Sequence, residues 1–142
     1  MKDNLIFYPI FLNVILVFIL YAKNTLDNRK AIKNKSLEMS YFKIYSGKVP
    51  EHIAVSRQTL KNQFELPILF YFLVSIILYV EQVFFLDLFF AWLFVISRYL
   101  HAYIRLSSNK IKYRSISFQI GFYTLLLWYL KFIYNLKNLT NP

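Results

Sequence analysis

The chain has no cysteine, only two glycines and two histidines in 142 residues, and few acidic side chains. The absence of cysteine excludes structural disulfides, thiol nucleophiles and Cys-ligated metal sites. The histidines, His52 and His101, are too widely spaced in sequence to point to a His-based metal centre. Seven Asp and Glu face seventeen Lys and Arg, for a net charge of +10. What the chain does have is apolar surface: 58% of its residues are hydrophobic and 20% aromatic. That is more than one small soluble core can cover, and it points to an integral membrane protein.

Four apolar segments, at about 5–22, 61–80, 83–106 and 116–134, are each close to the roughly 20 residues that cross about 30 Å of hydrocarbon as a helix. The expected fold is an all-α, integral membrane four-helix bundle, with residues 1–142 forming a single domain. A tight hairpin near Glu81 and Gln82 should part the second and third helices, since one helix across both would far exceed the bilayer. The first segment reads as a retained anchor and not a cleaved signal. Asp3 weakens a positive leader region, Pro9 comes early, and Tyr21-Ala22-Lys23 carries no small-x-small cleavage pattern.

Charge orients this bundle. The first connection, at about 23–57, carries Lys23, Arg29, Lys30, Lys33, Lys35, Lys43, Lys48 and Arg57, and the third carries Lys110, Lys112 and Arg114. The second carries only Glu81 and Asp87. Under the positive-inside rule both basic connections are cytoplasmic, which puts the N- and C-termini on the non-cytoplasmic side. The positive charge is then explained by membrane flanks, and nucleic acid is not an expected partner. Within the first connection, residues 36–45 mix apolar and polar side chains as a short interfacial helix would, before Ser46-Gly47 and Pro50 break it.

The polar residues at the ends of the apolar segments are the informative ones. A carboxylate near the centre of a bilayer helix costs roughly 2.5–3.5 kcal/mol on insertion scales, so Glu65 asks for a partner or a role. On a helical second segment, Gln58, Asn62 and Glu65 share one face through i, i+4 and i+7 spacing. On the third, Arg98, His101, Arg105, Asn109 and Lys112 likewise form one stripe. The two stripes lie at the same, cytoplasmic end, and their surplus of cations suits an anionic ligand. The plainer alternative is that Glu65 and Arg98 form a structural ion pair while the remaining basic residues reach for lipid headgroups. Pro67 is expected to kink the second helix just beyond Glu65.

The stretch Arg57-Gln-Thr-Leu-Lys-Asn62-Gln-Phe-Glu65-Leu-Pro67, followed later by Arg98-x-x-His101, Asn109 and Arg114, resembles the MAPEG family, the membrane-associated proteins in eicosanoid and glutathione metabolism, and its bacterial members especially. The likeness extends over essentially the whole chain, because four membrane helices, a long first connection and a short second one also fit.

The resemblance implies a homotrimer of four-helix bundles in the lipid bilayer, with glutathione bound between subunits at the cytoplasmic side. Asn62 and Glu65 match the family motif directly: Glu65 would take the tripeptide's amino group and Asn62 its backbone. The ligand-binding set implied is Arg57, Gln58, Asn62, Glu65, Arg98, His101 and Arg105. Lys112 or Arg114 would be the catalytic cation that stabilises the glutathione thiolate. The chain departs from the family pattern in three respects. Arg57 is five residues before Asn62, with Gln58 where the Arg belongs; Leu66 replaces a Tyr; and His101 and Arg105 stand where tyrosines are expected. The implied function is a glutathione-dependent transferase or peroxidase acting on lipophilic small molecules, as in detoxification. The alternative is a non-catalytic membrane protein that binds a lipid-like or anionic ligand. Heavy use of Lys, Asn and Ile suits an AT-rich bacterial source, which makes a bacterial inner membrane the expected location.

Overall fold

A computed structural model describes residues 3–45, 47–81 and 83–140, with side chains at all of these except 3 and 138–140. Gln82 of the expected hairpin and Ser46 of the expected break lie outside the described residues. The described chain is entirely helical apart from its connections: α1 (Phe7–Lys33), α2 (Tyr41–Ile44), α3 (Glu51–Lys61), α4 (Leu66–Tyr79), α5 (Phe85–Leu106) and α6 (Ile111–Thr140). Four stretches are long and apolar enough to cross a membrane: Asn4–Lys33, Glu51–Tyr79, Phe85–Leu106 and Ile111–Lys137.

The helices run beyond the apolar segments that mark them in the sequence. At about 1.5 Å per residue, the 27 residues of α1 span about 40 Å, more than the hydrocarbon requires. The expected stop after Ala22 does not occur, because nothing between Lys23 and Lys33 breaks a helix, and Lys23 pairs with Asp27 one turn on at 2.8 Å. The actual stop is a left-handed turn at Lys35 (φ 56°). There the Ser36 amide reaches the Ala31 carbonyl (2.9 Å) and the Lys35 amide the Ile32 carbonyl (2.9 Å). The expected loop at about 23–57 is therefore mostly helical, and only about 34–50 connects, with the single turn of α2 inside it.

The second membrane segment is not one kinked helix but two. It begins at Glu51, earlier than its apolar run, tightens into a 3-10 turn over Asn62–Phe64, breaks at Glu65 (φ −105°, ψ −94°) and restarts at Leu66. Pro67 accounts for the restart. It falls in the first turn of α4, where its missing N–H would have had no helical partner in any case.

The bundle closes around a main apolar core. Phe70 of α4 stacks on Phe94 of α5 with ring centroids 4.8 Å apart, and the Trp128 ring of α6 lies 6.1 Å from Phe70. Leu73, Val74, Ile77, Ala91 and Leu125 fill the space around them. At the end near Glu81, Asp87 is fully buried, and its carboxylate accepts bonds from the Trp128 indole (2.6 Å), Lys131 (2.7 Å) and the Phe84 amide (2.9 Å). At the opposite, basic end a smaller core of Ala31, Leu37, Tyr41 and Ile53 joins the extension of α1 to α2 and α3.

Candidate functional site

At the basic end, Arg105 from the last turn of α5 reaches across to the C-terminal end of α3. Its Nη2 donates to the Gln58 side-chain carbonyl. With the Asn62 amide oriented to suit its neighbours, Asn62 Oδ1 accepts from Arg105 Nη1 (3.2 Å) and Asn62 Nδ2 donates to the Gln58 backbone carbonyl (3.1 Å). One guanidinium thus holds the residue that ends α3 and the side chain one turn before it. A planar fork donor suits this task, and an ammonium does not. His101, one turn before Arg105, donates from Nδ1 to the Arg114 carbonyl (3.0 Å), and its Nε2 lies beside the Asn62 side chain without a hydrogen bond in that amide orientation. The Arg114 guanidinium donates to Asn109 Oδ1 (2.8 Å), and Asn109 sits in the left-handed region (φ 47°) between α5 and α6. Gln58, Asn62 and Arg105 therefore form one hydrogen-bonded network, and His101, Arg114 and Asn109 form a second one beside it.

The other residues singled out from the sequence are placed differently. Glu65 does not continue the Gln58 and Asn62 stripe, because the backbone breaks at Glu65 itself. Its side chain is exposed and forms no hydrogen bond or ion pair among the described residues, though its charge is felt at Arg105. It stands at the mouth of an apolar groove of about 330 Å³ between α4 and α6, lined by Leu66, Leu69, Phe122, Leu125, Leu126 and Tyr129. Arg98 forms no ion pair with Glu65. It is fully buried, lying 5.6 Å from the Phe94 ring and 5.2 Å from the Phe118 ring, and its Nε and Nη1 have no hydrogen-bond partner among the described residues. The stripe expected to continue to Asn109 and Lys112 stops with α5 at Leu106, and Lys112 is exposed in the first turn of α6. Arg57 turns away from the network altogether: its Nη1 donates to the Tyr41 hydroxyl (2.7 Å), and its guanidinium lies 4.3 Å from the Tyr45 ring.

Sequence reading did not mark Gly121, yet it governs how Arg98 is seated. A Cβ built there would lie 2.5 Å from Ser97 Oγ and 2.8 Å from Arg98 Nη2, so α6 can approach the guanidinium only where it carries glycine. A glycine one helical turn or so from Phe118, whose carbonyl is 3.5 Å from Arg98 Nη2, is the signal that was available.

A helical membrane protein with a basic polar network at one end and an apolar groove beside it is the class these features define. A model of the MAPEG family matches residues 6–134, nearly the whole chain, and the protein belongs to that family. Neither a curated protein nor a solved structure matches the chain.

Proposed function

We propose that the protein binds glutathione at its basic end and delivers the thiol to lipophilic electrophiles that reach it from the bilayer. The observation that carries this reading is the placement of Glu65: an exposed carboxylate without an ion pair among the described residues, within electrostatic reach of Arg105, at the mouth of an apolar groove. A peptide ammonium would pair with Glu65 while the Arg105 network offers positive charge to a peptide carboxylate, leaving the sulfur near the groove. Arg114 is the better candidate of the two cations for the thiolate, because it is half-buried and tied to Asn109, whereas Lys112 is exposed. A guanidinium beside the sulfur favours the thiolate; the thiolate attacks the electrophilic carbon, the leaving group departs with the bonding pair, and the thiol proton passes to water. The working form is a homotrimer, in which a neighbouring copy covers part of the apolar surface that α1 and α6 expose.

Turnover of chlorodinitrobenzene and of a lipid hydroperoxide by the purified protein with glutathione tests this reading. Arg114→Ala should lower kcat about tenfold to a hundredfold, and Glu65→Gln should chiefly raise the KM for glutathione. Activity equal to that of an Arg114→Ala, Lys112→Ala double variant would rule out catalysis. A non-catalytic binder of a lipid-like or anionic ligand is the second reading, and one observation favours it: Gln58, Asn62 and Arg105 already satisfy much of one another's bonding. Glutathione binding without a lowered thiol pKa, or no glutathione binding with retained lipid, supports that reading over the enzyme.

A further inference from the structure

Arg57 opens onto a second site, separate from the Arg105 network. A cavity of about 300 Å³ lies between the extension of α1, the α2 turn and α3. α1 contributes Asn24 and Asn28, one turn apart, and α3 contributes Arg57 and Lys61, also one turn apart. No Asp or Glu lines the cavity. Arg57 is fixed by Tyr41 and Tyr45 through Nη1, and no hydrogen bond among the described residues uses its Nη2 or Nε. Asn24 Oδ1 is buried without a hydrogen-bond partner among the described residues, an acceptor waiting for a donor.

The cavity also has a direction. α1 runs toward the basic end and α3 runs from it, so Tyr21 and Phe64 lie on the apolar side of Asn28 and Arg57. Each pair is separated by seven residues, a rise of about 10 Å. The Tyr21 and Phe64 rings meet edge to face at 6.1 Å, and both are about half exposed on stretches long and apolar enough to cross a membrane. Cations and amides at one end, with aromatic rings opening to the bilayer at the other, match a molecule with an anionic head and an apolar tail.

From this juxtaposition we infer that the cavity holds an anionic glycerophospholipid whose headgroup carries a hydroxyl. Its phosphate sits between Arg57 and Lys61, its headgroup hydroxyl donates to Asn24 Oδ1, and its acyl chain leaves past Tyr21 and Phe64. The site would tie a bilayer lipid to the small core that joins α1 to α3, on separate residues from those that face the proposed thiol ligand.

Native mass spectrometry of the full chain in neutral detergent, titrated with phosphatidylglycerol and with phosphatidylcholine of matched acyl chains, tests the inference. The wild type should retain phosphatidylglycerol in strong preference to phosphatidylcholine. Lys61→Gln should weaken retention about fivefold, as expected for one basic residue at a membrane surface. Asn24→Leu should weaken retention of phosphatidylglycerol, whose headgroup hydroxyl loses its acceptor, and leave the weaker retention of phosphatidylcholine unchanged. Both variants keep the Arg57 tie to Tyr41, so a folded control is available; Arg57→Gln is read beside them with a thermal midpoint. Equal retention by wild type and Lys61→Gln overturns the assignment. So does displacement of the lipid by inorganic phosphate, which would mark a free-anion site, or by glutathione, which would merge this cavity with the thiol site. None of these outcomes depends on glutathione turnover.

Discussion

Arg98 is the residue whose role changes most between sequence and structure. It shares a helix face with His101 and Arg105, but two turns separate it from Arg105, and at that depth it is enclosed by Phe94, Phe118 and the bare backbone at Gly121. A Cβ at Gly121 would press on Ser97 Oγ and on a guanidinium that the two rings keep from moving aside. Gly121→Ala should therefore destabilise the protein by about 1–3 kcal/mol, read as a lowered thermal midpoint in detergent, with partial recovery in a Gly121→Ala, Ser97→Ala pair. Arg98→Met removes a buried cation with two unsatisfied nitrogens and keeps most of the volume. Its midpoint should not fall, since an apolar replacement for an unpaired buried charge is usually tolerated. Glutathione affinity should be unchanged in this variant, and a clear loss would return Arg98 to the ligand site.

Among the helices, α5 and α6 share the most extensive packing, and each end of their contact is held by a different device. At the end near Glu81, Asp87 bonds Trp128 and Lys131 of α6 and also receives the Phe84 amide that starts its own helix. Removing the charge leaves Lys131 without its partner beside a buried amide. Asp87→Asn should cost about 3–5 kcal/mol, and a double variant with Lys131→Met should recover part of that loss, which thermal melts of the four proteins in the cycle would measure. At the basic end the His101 bond to the Arg114 carbonyl joins α5 to α6, and the Arg105 fork is the joint that ties α5 to α3. Because α3 and α4 are separate helices, this joint holds α3 without fixing α4, and Glu65 stands at the break between them.

For the molecule as a whole, the absence of cysteine becomes an experimental advantage. Single substitutions Lys43→Cys, Lys110→Cys and Glu81→Cys introduce the only thiols in the chain. An impermeant maleimide applied to sealed, right-side-out vesicles should label Glu81→Cys alone, and all three after permeabilisation, if both basic connections are cytoplasmic. Labelling of Lys43→Cys in sealed vesicles would invert the proposed orientation. Composition and apolar segments of bilayer length were enough to read an all-helical membrane protein of four spans, because the cost of exposing peptide groups to hydrocarbon leaves few other folds open. The family was legible too, in Asn62, Glu65 and Pro67 and the third-helix pattern. Helical periodicity also brought Gln58, Asn62, His101 and Arg105 to one end, since spacing within a helix is a local property. It could not show that the helix breaks at Glu65, that Arg57 faces α2, or that Arg98 is enclosed against Gly121. Those outcomes depend on which backbone passes close to which side chain, a matter of packing between segments distant in sequence that only the folded bundle decides.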